Sequence, residues 1–111
     1  EEKSARKRAL TAANQNAIRV PFRVMQLAHE SFDLLEAMAT SGNPASASDA
    51  GVGALCARAA IRGAWLNVLT NLAGAGERAA FQELLLDGRR IVEESAEREE
   101  RILAAVEKQF A

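Results

Sequence analysis

Tyrosine is missing from this sequence altogether, proline occurs twice, and cysteine, histidine and tryptophan occur once each. A single cysteine excludes an internal disulfide, and Cys56 together with His29 leaves too few soft ligands for a protein-held zinc site. Charge of one sign is not in excess either. The formal net charge is −1, so there is no global attraction to nucleic acid or to an anionic membrane, both of which need a basic surplus. Neither is expected as a partner. No run of about 18 uncharged apolar residues occurs, because Arg58 and Arg62 interrupt the best candidate, and the opening residues do not read as a signal peptide. The expectation is a soluble, cytoplasmic chain. It starts at Glu1 rather than Met and enters charged helical sequence at once, so further sequence is expected ahead of it in the natural protein.

What is abundant is alanine, 24 of the 111 residues, within a composition that is 49% hydrophobic and 26% charged. Such a chain is too apolar for disorder and favours helix over sheet. Its length suits one domain or a piece of one. Residues 3–19 carry Leu10, Ala13, Ala17 and Ile18 at helical spacing and read as a first helix. Pro21 disfavours helical angles at Val20 and suits a helical first turn, so a break is expected there, with a second helix over 21–40. Gly42 is placed to cap that helix, and Asn43-Pro44 opens a loop reaching to about Ala47.

A third helix is expected over 48–72. Gly53, Cys56, Ala60, Gly63 and Asn67 fall close to one line at 100° per residue, a flat face that another backbone can approach closely. Each interior glycine costs roughly 1 kcal/mol against alanine, and close packing is the natural compensation. A fourth helix is expected over 77–110, with Phe81, Leu84, Leu85, Ile91, Val92, Ile102 and Val106 as its stripe and Gly88 and Ser95 as small positions between. From Glu93 to Arg101 seven of nine residues are charged. With Arg90/Glu94, Glu94/Arg98 and Glu97/Arg101 at i,i+4, this stretch reads as a solvated surface. The fold class is all-α, an antiparallel bundle of about four helices.

Strong catalytic motifs are absent, and Gly51-x-Gly53 follows a loop rather than the strand a dinucleotide site requires. Cys56 among alanines reads as a small packing residue, and His29 as a structural imidazole. The basic group Lys3, Arg6, Lys7 and Arg8 reads as a solvated helix end diluted by Glu1 and Glu2. Asn67 and Asn71, at i,i+4 among apolar neighbours, read as amides satisfying a neighbouring helix or fixing a dimer contact. At residues 42–51, Ser46, Ser48 and Asp49 meet at a helix N-terminus with unpaired backbone N–H groups. Two arrangements are open. Ser46 can cap, with Asp49 closing a capping box, or Ser48 can cap, with Asp49 in the first turn pointing outward at a ligand.

The run Gly42-Asn43-Pro44-Ala45-Ser46-Ala47-Ser48-Asp49-Ala50-Gly51-Val52-Gly53-Ala54-Leu55, followed by Gly63-Ala64-Trp65-Leu66-Asn67-Val68 and Asn71-Leu72, resembles the cyclodeaminase/cyclohydrolase family. That family comprises the C-terminal domain of formiminotransferase-cyclodeaminase and the bacterial methenyl-tetrahydrofolate cyclohydrolases. Glu1-Glu2-Lys3, Arg6 and Val20-Pro21 also resemble its pattern. The resemblance implies a homodimeric helical domain that closes formimino-tetrahydrofolate with release of ammonia or hydrolyses the methenyl form, without a metal or redox cofactor. Family domains are nearly twice this length, so residues 1–111 would be the C-terminal half of a larger helical domain, its N-terminal half missing and its activity incomplete.

Within that resemblance Asp49 is the expected catalytic residue, with Asn43 and Ser48 orienting it or contacting the folate. A carboxylate at a helix N-terminus is stabilised in its charged form, which suits an acceptor. Asp49 would accept hydrogen bonds from the pterin's aminopyrimidinone edge or stabilise the cationic one-carbon unit. The competing expectation is a non-catalytic helical assembly module that dimerises through the third helix.

Overall fold

A computed structural model of the chain describes residues 1–75 and 78–110. Three long α-helices account for nearly all of them: α1 (Glu2–Ser41), α2 (Pro44–Ala75) and α3 (Gln82–Lys108), with a 3-10 turn at Arg78–Phe81 leading into α3. All-helical is what the composition implies, but the count of four helices is corrected to three. The expected first and second helices are one, because Pro21 lies inside α1 rather than at a break. Of the expected fourth helix, Glu77 lies outside the described residues and the start is the 3-10 turn.

A hydrogen bond from α2 meets the gap that the proline leaves in α1. Pro21 has no N–H to offer the carbonyl four residues earlier, which leaves Ala17 O unpaired in the helix interior. The Asn71 amide Nδ2 donates to that oxygen at 2.7 Å from across α2. The bond satisfies the neighbouring helix as expected for Asn71, at the site of the expected break.

Helices α1 and α2 form an antiparallel hairpin joined only by Gly42 and Asn43. Leu35 packs at Gly53, and Ala17 meets Asn71, two pairs both centred on Pro44. α3 returns antiparallel to α2 and parallel to α1. It is tied at its far end by Gln109 Nε2, which donates at 2.7 Å to the Ala39 carbonyl, one of the last carbonyls of α1 that lack a helical partner. The buried residues of α1 are Ile18, Met25, Phe32 and Ala39, seven apart, the spacing of a helix packed along its length against neighbours. They meet Ile61, Val68 and Leu72 of α2 and Leu85, Ile91 and Ile102 of α3 in one core. At Gly88 the α2–α3 contact is close. A Cβ there would collide with Cζ3 of Trp65, so the indole occupies the space a side chain would take.

Ion pairs line the α1–α3 seam. Arg98 donates to Asp33 at 2.9 Å and to Glu36 at 3.1 Å, and Arg101 donates to Glu36 at 3.0 Å. Arg58 of α2 reaches Glu99 at 3.3 Å. The charged stretch from Glu93 to Arg101 is thus an interhelical network rather than only a solvated surface. Of the expected local pairs, Arg90–Glu94 forms, at 3.1 Å. Burial opposes the Arg98 charge, but its hydrogen bonds to Asp33 and Glu36 outweigh that and raise its pKa. The Arg101 hydrogen bond, working against burial and helped by Arg98, holds the Glu36 carboxyl below its ordinary value of 4.5.

The molecule is a rod of 67 × 20 × 16 Å with a radius of gyration of 18.0 Å, against about 13 Å for a compact domain of this length. From Glu2 to Asn14 every residue except Thr11 is exposed, so α1 runs on beyond the helices that pack against it.

These contacts can be tested by unfolding. Asn71→Ala leaves Ala17 O to water in place of its donor and should cost about 0.5–1.5 kcal/mol in urea unfolding. In a Pro21→Ala background, where the helix supplies its own N–H, the cost should shrink to a few tenths. A carboxylate with a depressed folded pKa contributes stability above its unfolded value and loses it as pH falls through the folded one. Glu36→Gln should therefore lower stability at pH 7 by at most about 1 kcal/mol, since the side chain is 36% exposed. Its unfolding curve should converge on that of the unaltered chain as the pH falls below 4.5.

Candidate functional site

The α1–α2 turn is built from three adjacent residues. Gly42 N–H donates to the Met38 carbonyl at 3.0 Å, capping α1 as expected. Its φ of −82° is ordinary extended backbone. Glycine is required there by space, because a Cβ would lie 2.6 Å from Met38 O. Asn43 Oδ1 accepts the Ser46 backbone N–H at 2.9 Å, and Pro44 occupies the first helical position, where a missing N–H costs nothing. Asn43 is therefore the N-cap. Both arrangements open from the sequence, Ser46 or Ser48 as cap, are corrected, and the loop shortens from 42–47 to Gly42-Asn43. The expected start of this helix at Ser48 moves back to Pro44.

Asp49 consequently is the sixth residue of α2, beyond the first turn in which the helix dipole is felt. It is exposed, and no ion pair among the described residues involves it. At seven-residue intervals it shares a line with Cys56, Gly63 and Thr70 on the outer side of α2. Ser48, also exposed, lies about 100° round the helix from it. Asn43 has its carbonyl oxygen engaged in the cap. The three residues are near one another in sequence, but their polar groups do not converge within this chain.

A groove of about 650 Å³ lies elsewhere, where the middle of α1 faces the second half of α2. Val20, Pro21 and Val24 form one wall, Ala60 and Ala64 the other, and Asn16, Asn67 and Asn71 supply amides. Its volume is that of a small-molecule pocket, but it is open along its length. Ala60 stands about 16 Å along the axis from Asp49 at 1.5 Å per residue, so turn and groove are separate places on one face. Asn16 escaped notice in the sequence. Nothing in its local sequence pattern singled it out; it is the groove that α1 and α2 form that brings it beside Asn67 and Asn71.

Cys56 is exposed, which corrects the expectation of a packed thiol. His29 sits between α1 and α3, its Nε2 2.9 Å from Glu94 Oε2 but off the direction of a hydrogen bond, a structural position as expected. Among the described residues no three His, Cys, Asp or Glu side chains are grouped to hold a metal ion. By length and composition alone Pro44–Ala73 is apolar enough to cross a membrane, with a mean hydropathy of 1.2. The interruption by Arg58 and Arg62 is therefore a weaker bar than expected, although Arg58 is held by Glu99 of α3.

Long helices, one outer face charged and the other carrying exposed apolar residues, with the exposed carboxylate of Asp49 beside the hairpin turn, define an all-helical module. A sequence profile for formiminotransferase-cyclodeaminase matches residues 1–89. The chain is 38% identical over 106 residues to a methenyltetrahydrofolate cyclohydrolase of Methylorubrum extorquens, an alignment covering 96% of this chain and 51% of that protein. The chain belongs to the formiminotransferase-cyclodeaminase family, and it spans about half the length of the curated relative it matches.

The capping assignment is open to a direct check. Asn43→Ala should destabilise the chain by about 1 kcal/mol in denaturant unfolding, whereas Ser46→Ala and Ser48→Ala should stay within about 0.5 kcal/mol of the unaltered chain.

Proposed function

We propose that this chain is one half of a tetrahydrofolate one-carbon enzyme, a methenyltetrahydrofolate cyclohydrolase, with Asp49 as the carboxylate that acts on the folate. The observation that carries the reading is 38% identity across 96% of the chain to a protein of that name. In the methenyl form the one-carbon unit bridges two nitrogens and carries a delocalised positive charge. Water adds to that carbon and loses one proton; one carbon–nitrogen bond then breaks as the remaining hydroxyl proton passes to the departing nitrogen, leaving a formyl group on the other nitrogen. A fixed carboxylate beside the carbon stabilises the cation and accepts the water's proton. Placed instead against the pterin, the same carboxylate accepts paired hydrogen bonds from the aminopyrimidinone edge.

What supports Asp49 is its freedom. It is exposed, unpaired among the described residues, and held on a rigid helix one turn beyond a cap that does not use it. Ser48 and the free amide of Asn43 are assigned to orienting the folate at the turn. The homodimer and the cytoplasmic setting belong to this proposal, as does catalysis without a metal or redox cofactor. The family profile's name favours the related cyclodeaminase reaction, and comparing ammonia release from formimino-tetrahydrofolate with hydrolysis of the methenyl form separates the two. An assembly module without catalysis is favoured only by the apolar outer face, and would bind no folate in a titration.

In the assembled protein Asp49→Asn should lower kcat by about 100-fold or more if the carboxylate faces the one-carbon unit, and raise KM chiefly if it holds the pterin. Thermal stability should stay within about 0.5 kcal/mol in either case. Unchanged kinetics would remove Asp49 from the site.

A further inference from the structure

The two outer sides of the rod differ in a way that the chain by itself does not explain. Glu93, Glu97, Glu100 and Glu107 keep the outside of α3 charged and exposed. On the opposite side Leu10 is 59% exposed, Val20 63%, Val24 42%, Leu27 50% and Leu34 66%. These five lie on a run from 10 to 34 in which apolar or small residues alternate by three and four, the pattern of a helix facing a second helix. α1 thus carries two such seams, one filled by α2 and α3 and one open. The open seam is about 36 Å long at 1.5 Å per residue.

α2 continues the same face. Val52 is 58% and Leu66 59% exposed, and in the most apolar part of Pro44–Ala73 only 28% of residues are buried. Gly63 lies between them, and a Cβ built there meets nothing within 4 Å. An exposed glycine in a helix interior costs roughly 1 kcal/mol, and nothing among the described residues uses the access it gives. The sequence-based expectation of a backbone approaching the small-residue face is therefore unmet by α1 or α3 at Gly63.

We propose that this face is the seat of a helical segment corresponding to the half of the cyclohydrolase relative that lies outside the match, with one of its helices laid along the α1–α2 groove. That portion is about as long as this chain, ample for a helix spanning the seam. A second copy of the chain is the weaker occupant. It would take up the one broad apolar face and leave the relative's other half only the charged side of α3. Asn16 and Asn67 present amides within the groove, so the docked helix carries a polar residue at their level, which sets its register. Asp49 lies on the Cys56–Gly63 line, so the docked segment closes over it. The inference rests on family membership and the half-length match, and it deepens the proposed function by saying what completes the site.

Cys56, the sole thiol and exposed, reports on docking. A single polypeptide is made in which this chain replaces the matching half of the Methylorubrum protein, with that protein's remaining cysteines changed to serine. Dithiobis-nitrobenzoate should modify Cys56 readily in the 111-residue chain and at least about tenfold more slowly in the joined protein. Leu27→Glu with Leu34→Glu should restore the fast rate in the joined protein. Leu86→Glu, an exposed position on α3, should not. Val20→Glu alone serves if the double variant loses its helical circular dichroism. Equal reactivity in the two proteins overturns the inference. So does an isolated chain that dimerises with Cys56 protected, or one that sediments with phosphatidylcholine vesicles. Protection without folate hydrolysis leaves docking standing and defeats the proposed function, whereas hydrolysis with Cys56 open does the reverse.

Discussion

The carbonyl of Ala17 is the point on which the architecture turns. Pro21 strips it of its helical partner and leaves the oxygen on the wall of an open groove, where a donor from the neighbouring helix can take the place of the missing N–H. Asn71 is that donor. With the bond in place α1 runs continuously over 40 residues, and the end of α2 is fastened to its middle. The groove beside Val20 and Asn67 exists because both helices run on past this point. The same bond explains an asparagine that would otherwise be an odd choice between Leu69 and Leu72.

Local features were readable in the sequence. Alanine content and apolar spacing implied helices throughout, Gly42 announced the end of α1, and Gly88 and Ser95 stood out as small positions that prove to be buried. What failed depended on residues far along the chain. Pro21 read as a break because the donor that rescues it lies 54 residues away. Glu93 to Arg101 read as solvated because Asp33 and Glu36, which bind Arg98, belong to another helix. The cap was a different kind of miss. Serines attracted attention, while Pro44, suited to the first helical position, already pointed to Asn43.

The candidate site was legible in part. Spacing and family resemblance directed attention to Asn43, Ser48 and Asp49, and the fold gives each a definite setting: a capping oxygen, an exposed hydroxyl and an exposed carboxylate. It does not draw them into a pocket. Cys56 was misread for a related reason, since apolar neighbours in sequence suggest burial, yet Ala54 is buried while Cys56 and Leu55 fall on the exposed side of the same helix. Under the proposed two-part site, these are the groups that the other half would meet: well-formed helices carrying exposed polar side chains.

The two-residue connection at Gly42-Asn43 has a consequence for how this hairpin can vary. With so little slack, the turn acts as the origin of a gear train, fixing the phase of α2 against α1 over some thirty residues. One residue drawn into the start of α2 from there would rotate the rest of the helix by about 100° and slide it by about 1.5 Å. Asn71 would lose Ala17, and the small-residue line would swing out of alignment with the seam of α1. Length changes at this turn are therefore tolerable only in steps near a whole number of helical turns, although a loop at the surface would ordinarily accept them freely.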